Sequence, residues 1–168
     1  MGEIDTAKNL IENSHFREAG LILDKLLGKD KENSELWYFR GLVSMKLKNY
    51  GAAHECFDRA IFISRKPHYH KIKGMSHLEV FEVESALEHF LAALSISPKD
   101  ATINFFVFVC YLLLDDPRAK NYVEKAYLLD RQKTKLLLYS FYKLFLKSDK
   151  SINPKLLKEL EERIGRIA

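Results

Sequence analysis

The sequence predicts an all-α chain, a solenoid of helical hairpins, and three observations carry that reading. The stretch from Trp37 to Pro98 reads twice: Gly41, Tyr50, Ala53, Phe57 and Ala60 return as Gly74, Val83, Ala86, Phe90 and Ala93, all displaced by one and the same interval. A fixed interval of this length marks stacked units, none of which can bury its apolar faces alone. Within and beyond that stretch, apolar residues fall three and four apart, the spacing of one helix face. With only 7 Gly and 4 Pro in 168 residues, the chain has little material for the many tight turns of a β fold.

The first hairpin (residues 3–33) opens with Ile4, Ala7, Leu10 and Ile11 on one helical face. Asn13-Ser14-His15 breaks the pattern, and Phe16, Ala19, Leu23 and Leu26 resume it as a second helix. Gly28 stands where a helix C-cap belongs, and Ser34 is placed to cap the next helix. In the second hairpin (34–66), Trp37, Gly41 and Ser44 share a face of the first helix. Lys48-Asn49-Tyr50 makes the turn, and Ala53, Phe57, Ala60 and Ile61 line the second helix. The third (67–100) begins at Pro67, which suits a first helical turn, carries Gly74 and later Ala86, Phe90 and Ala93, and stops before Pro98. Close helix packing needs small residues, so Gly41 and Gly74 are expected to make room for Ala53 and Ala86, with Phe57 and Phe90 filling the space between hairpins.

The fourth hairpin (101–130) is degenerate. Its first helix spans residues 104–114, with Val107, Phe108 and Tyr111 inward. Asp115-Asp116-Pro117 turns the chain and starts the next helix, and Ala119, Val123 and Ala126 continue the string. Beyond Asp130 the repeat signature ends. Residues 131–168 read as capping helices of the same domain: one from Thr134 to Lys147, a polar break, then a last helix started by Asn153-Pro154 and running to about Ile167.

Composition narrows the class further. Hydrophobic residues at 47% and charged residues at 30% make the chain too apolar for disorder. Cys56 and Cys110 are too few for a disulfide framework and are expected to be reduced core residues. No signal-peptide pattern opens the chain. The longest apolar run, from Ile103 to Leu114, is well short of the roughly 20 residues that cross a bilayer. A cytoplasmic protein without a membrane span is the expectation. The net charge of +4 is uneven: residues 1–130 carry −2 and residues 131–168 carry +6.

Trp37-x-x-Arg40-Gly41-x-x-Ser44 followed by Tyr50-x-x-Ala53-x-x-x-Phe57-x-x-Ala60 resembles the tetratricopeptide repeat. The third hairpin matches at Gly74, Ala86, Phe90, Ala93 and Pro98, with His70 and His77 where that family usually has large aromatic residues. The resemblance implies a right-handed superhelix of antiparallel helix pairs whose first helices line a concave face, and peptide or protein binding on that face. On this implication Tyr38, Leu42, Met45, Lys71, Met75, Phe105 and Val109 are the candidate contact residues. The carboxylate clamp of chaperone-associated members is not expected, because the matching places hold residues such as Ile4, Lys8, Phe39, His68 and Ile72 rather than paired cationic donors.

Two readings of the apolar fourth hairpin stay open: it extends the groove, or the following helix covers it. The lysines Lys135, Lys143, Lys147 and Lys158 lie among aromatic residues and are a candidate basic patch for nucleic acid; the plainer reading is the solvated face of a capping pair. His68, His70 and His77 cluster, but no Asp, Glu or Cys at helical spacing completes a ligand set with them, so they read as core residues and no metal or other cofactor is expected. No phosphate loop, metalloprotease motif, Cys-x-x-Cys or nucleophile elbow occurs, which argues against an enzyme. The function expected is a scaffold or adaptor for an unidentified protein or peptide. Nucleic-acid binding and self-association into a homo-oligomer are the alternatives.

Overall fold

A computed structural model describes residues 2–143. Among them the chain is all α-helical: α1 (Glu3–Glu12), α2 (Phe16–Lys29), α3 (Ser34–Lys46), α4 (Tyr50–Ile63), α5 (Pro67–Glu79), α6 (Val83–Ile96), α7 (Ala101–Leu113), α8 (Ala119–Leu129) and α9 (Arg131–Phe141). They pair as hairpins, α1 with α2, α3 with α4, α5 with α6 and α7 with α8. The described residues fall into two compact units, one closing at Ile96 and one opening at Ser97.

In the first unit three hairpins stack, α2 against α3 and α4 against α5. Ala7, Ala19, Leu23, Leu27, Leu36 and Val43 form one core cluster, and Met45, Ala53 and Phe57 another. The glycines work differently from the expectation. A Cβ on Gly41 would sit 2.5 Å from Phe57 Cε1, and one on Gly74 would sit 2.9 Å from Phe90 Cε1. Each glycine therefore makes room first of all for the phenylalanine of its own hairpin, and each phenylalanine is fully buried. The reason is size: the ring, not the alanine methyl, is what the facing backbone must clear.

The helix ends bring two further corrections. Gly28 lies inside α2 with a negative φ, and the C-cap falls at Asp30. Asn33, not Ser34, caps α3, its carboxamide oxygen accepting from the backbone N–H of Glu35 and of Leu36. The same side-chain chemistry recurs at Asn49, Asp100 and Asp130, which start α4, α7 and α9. Such caps satisfy N–H groups that have no helical partner. Asp130 also explains why α9 begins at Arg131 rather than at Thr134.

The turn inside each hairpin holds one residue in the left-handed region: Ser14, Lys48, Phe81 and Asp115. They fall at matching places in the four hairpins, a second trace of the repeat. None is glycine, so each carries backbone strain. Phe81, with φ 60° and 72% exposed, gains little packing in return. Phe81→Gly is expected to stabilise the protein by about 0.5–1 kcal/mol, relief of the Cβ clash outweighing the added freedom of the unfolded chain. A lower urea midpoint for this variant would refute the assignment of strain to that turn.

In the second unit α9 packs on both helices of the α7/α8 hairpin. The Phe105 and Phe141 rings meet edge to face at 6.5 Å. Of the inward residues expected on α7, Val107 and Tyr111 are buried, while Phe108 is half-buried. The rest of the 134–147 helix, the last helix expected from Asn153, and both Lys147 and Lys158 lie outside the described residues. Among the described residues no helix is long and apolar enough to cross a membrane.

Candidate functional site

The seven candidate contact residues separate into two groups. Tyr38, Leu42, Lys71 and Met75 are half-buried on α3 and α5, the first helices of two neighbouring hairpins. Met45, Phe105 and Val109 are 3%, 2% and 5% exposed and offer no open surface. Met45 belongs to the core with Ala53 and Phe57. Phe105 meets Phe141 from α9, so among the described residues α9 helps to cover this face of α7.

Tyr38 is the most constrained of the open group. Its ring lies 5.1 Å from Phe39, 5.3 Å from His68, 5.1 Å from Tyr69 and 6.4 Å from Phe57. Leu42, Tyr50 and Ile72 join Tyr38 as partly buried residues on the Met45–Phe57 core. Burial, with Tyr69 beside it, raises the Tyr38 hydroxyl above its usual range, so the phenol is neutral at physiological pH. Tyr69 is anchored in turn: fully buried, with its hydroxyl 3.1 Å from Ser34 Oγ. The result is a ring held on several sides with one part left open. Nearby, Lys8 pairs with Glu35 at 2.8 Å and lies over the Phe39 ring.

A second constellation was not legible as a set. His54 from α4, His77 from α5 and Glu82 from the α5–α6 turn each bring a ligand-type atom, all within 4.8 Å of one another. His54 and His77 stack at 4.0 Å, and His77 stacks on His89 at 5.4 Å. His77 Nδ1 lies 2.5 Å from Glu82 Oε2, and His54 Nε2 lies 3.1 Å from the buried Ser76 hydroxyl. His70 Nδ1 and His89 Nδ1 are 3.4 Å apart. Burial, then the neighbouring His77 and Lys73, holds His54 below the ordinary histidine range. Burial, then Lys73, His77 and His70, pushes His89 down to about 4. His68 stands apart, against Tyr38. Spacing along single helices could not reveal the set, because its members come from three successive elements. The available signal was density: all the histidines except His15 fall between residues 54 and 89.

Trp37, Cys56, Asp58, Arg59 and Phe62 line a shallow cleft on the α4 side, with Phe62 82% exposed. Of the described basic residues, Lys143 is exposed and lies 5.5 Å over the Tyr139 ring, and Lys135 is half-buried. Cys56 and Cys110 are free and buried, their thiols pushed up to about 11 and about 12 by burial. Both are protonated at neutral pH and are not activated nucleophiles.

Comparison with known proteins agrees with this architecture. The family model described as Tetratricopeptide repeat matches residues 34–66. A TPR repeat-containing protein of Methanocaldococcus jannaschii is 20% identical over 98% of this chain, which spans 30% of that protein's length. Among solved structures, MamA from Desulfovibrio magneticus RS-1 superposes with a TM-score of 0.74 at 19% identity, covering 98% of this chain and 92% of that one. PilF of Pseudomonas aeruginosa does so with the same TM-score and identity, over 98% and 82%. Residues 34–66 thus match a tetratricopeptide repeat, and the fold of the chain is that of tetratricopeptide-like helical solenoids.

Proposed function

We propose that this chain is a non-covalent protein-interaction scaffold, an adaptor or assembly subunit, that holds a peptide or protein segment against α3 and α5. The observation that carries the reading is Tyr38, an aromatic ring fixed by its neighbours yet half-buried, with Leu42 packed on the same core and Lys71 and Met75 half-buried on the neighbouring α5. Interfaces are anchored by such rings, because little side-chain entropy is lost when they are covered. Lys71, half-buried on α5, adds a positive charge, suiting a segment with an acidic residue near its apolar ones.

The test begins with affinity capture from the source cell and crosslinking mass spectrometry, followed by binding measurements on the partner found. Tyr38→Ala with Met75→Ala is expected to weaken binding about 30-fold or more, the scale of a lost hot spot of about 2 kcal/mol. Because Tyr38 packs on four rings, a thermal melt must accompany the variant. Met75→Ala with Lys71→Glu leaves the ring cluster intact and is expected to show the same direction. Wild-type affinity in both variants would move the site off α3 and α5. Binding that collapses with modest salt would instead favour phosphate recognition by the lysines of the C-terminal segment.

A further inference from the structure

We propose that His54, His77 and Glu82 form a binding site for a first-row divalent cation of the Zn2+ class, joining the second hairpin to the third. The site uses none of the residues of the proposed scaffold surface, although His77 lies on α5 with Lys71 and Met75.

The donor set is the first argument. Two imidazoles and a carboxylate are the nitrogen and oxygen ligands that Zn2+ and its neighbours accept, and three protein ligands leave a further position for water or another group. The three come from α4, α5 and the α5–α6 turn, and their ligand atoms already lie within 4.8 Å of one another. Bond lengths of about 2.0–2.2 Å in tetrahedral geometry put ligand atoms roughly 3.3–3.6 Å apart. Small side-chain rotations therefore suffice, and no helix has to move.

Entry and support are the second argument. The Glu82 side chain is 53% exposed and that of His77 is 11% exposed, so the site has one solvent-facing ligand and one fixed, buried one. The fully buried Ser76 hydroxyl lies 3.1 Å from His54 Nε2, leaving Nδ1 as the nitrogen for a cation, and His89 lies parallel to His77 at 9°. Partners that orient a ligating imidazole are a regular part of metal sites. The ammonium of Lys73 is matched by Asp58 at 2.5 Å, which offsets its repulsion of a cation.

The third argument is that packing alone does not require this arrangement. A hairpin interface of this kind could be filled by aromatic rings without burying polar nitrogens, whose burial is costly unless they are partnered. Here four imidazoles take that space, and one carboxylate is directed at them. A cation bound there would fasten α4 to α5 and to the turn after it.

The test uses the full chain, freed of metal by a chelator and then dialysed, and titrated with Co2+ as a visible probe and with Zn2+ by calorimetry. The wild type is expected to bind one Co2+ with the strong visible absorption of four- or five-coordinate geometry, and to release it to Zn2+. Glu82→Gln and His54→Ala, each removing a direct ligand, are expected to weaken Zn2+ binding by at least the roughly 10–100-fold that loss of a ligand-orienting partner costs. His15→Ala, outside the cluster, should bind as the wild type does. Glu82 is solvent-facing, so Glu82→Gln should keep the fold even if a histidine variant does not, and circular dichroism checks each. Absence of binding in the wild type, or affinity unchanged in a folded Glu82→Gln, would overturn the site.

Discussion

Phe57→Ala is expected to destabilise the first unit by about 3–5 kcal/mol, the range for removing a fully buried phenylalanine. The ring is 0% exposed, lies against the backbone of Gly41, and packs with Met45 and Ala53. Two penalties combine: the transfer free energy of the ring, and a cavity that helix backbones on both sides cannot close. Phe90→Ala should behave alike, since Phe90 is equally buried and meets Gly74 in the same way. The control is Leu21→Ala, at a residue 73% exposed, where a change within about 0.5 kcal/mol is expected. Urea unfolding followed by circular dichroism checks the series. Stacked repeats can unfold in steps, so the transition should also be followed by the fluorescence of Trp37, the single tryptophan, which reports on the second hairpin. A loss below about 1 kcal/mol for Phe57→Ala, against the range above, would mean that the ring is not the element joining α3 to α4.

The fold was readable because its determinants are periodic. Phe57 and Phe90 announce themselves by recurring at the same place in successive units, and the hairpin spacing follows from that alone. What the glycines do was not readable, since spacing says that two positions share a face but not which side chain comes to meet them. Gly28 illustrates the limit. It stands near a helix end in sequence, yet its φ is negative and nothing lies within 4 Å of a Cβ placed on it, so it has neither the capping nor the clearance role. The C-cap of α2 falls at Asp30, and the N-cap of α3 belongs to Asn33, whose side chain reaches two backbone N–H groups.

Spacing did not separate the half-buried candidates Tyr38, Leu42, Lys71 and Met75 from the buried ones, Met45, Phe105 and Val109. Helical spacing marks Phe105 and Val109 as one face in the same way as it marks Tyr38 and Leu42. Only a long-range contact distinguishes the two faces, namely Phe141 arriving on Phe105 from beyond the repeats. For the histidines the failure was of the same kind. His77 and Glu82 are off the spacing of a continuous helix, because the chain leaves α5 between them. His54 reaches His77 only when one hairpin stacks on the next.

Gly41→Ala is the second substitution expected to have a large effect, and its sign runs against helix propensity. Alanine in a helix interior is favoured over glycine by about 1 kcal/mol. At Gly51, in the first turn of α4, where nothing lies within 4 Å, the preference should appear as a smaller gain, up to about 0.5 kcal/mol. At Gly41 the new methyl would lie 2.5 Å and 2.6 Å from two carbons of the Phe57 ring, closer than real Cβ contacts come. The ring has no free space to retreat into, being fully buried, with Tyr38 6.4 Å away on one side. Overpacking costs about 1–3 kcal/mol, sometimes more, and at so close an approach the upper end applies, so a net loss of up to about 2 kcal/mol is expected after the propensity gain. Gly74→Ala, with its closest approach at 2.9 Å, should lose less. The decisive experiment is the double variant Gly41→Ala with Phe57→Leu. The first hairpin already carries that combination at the equivalent places, one repeat earlier: Ala7 and Leu23, both 0% exposed and in one core cluster. If the glycine is there to clear the ring, the double variant should be more stable than the sum of the single losses by about 0.5–3 kcal/mol. Strict additivity would mean that Gly41 is required by its own backbone, and that the small-against-large exchange between hairpins is not what keeps their spacing constant.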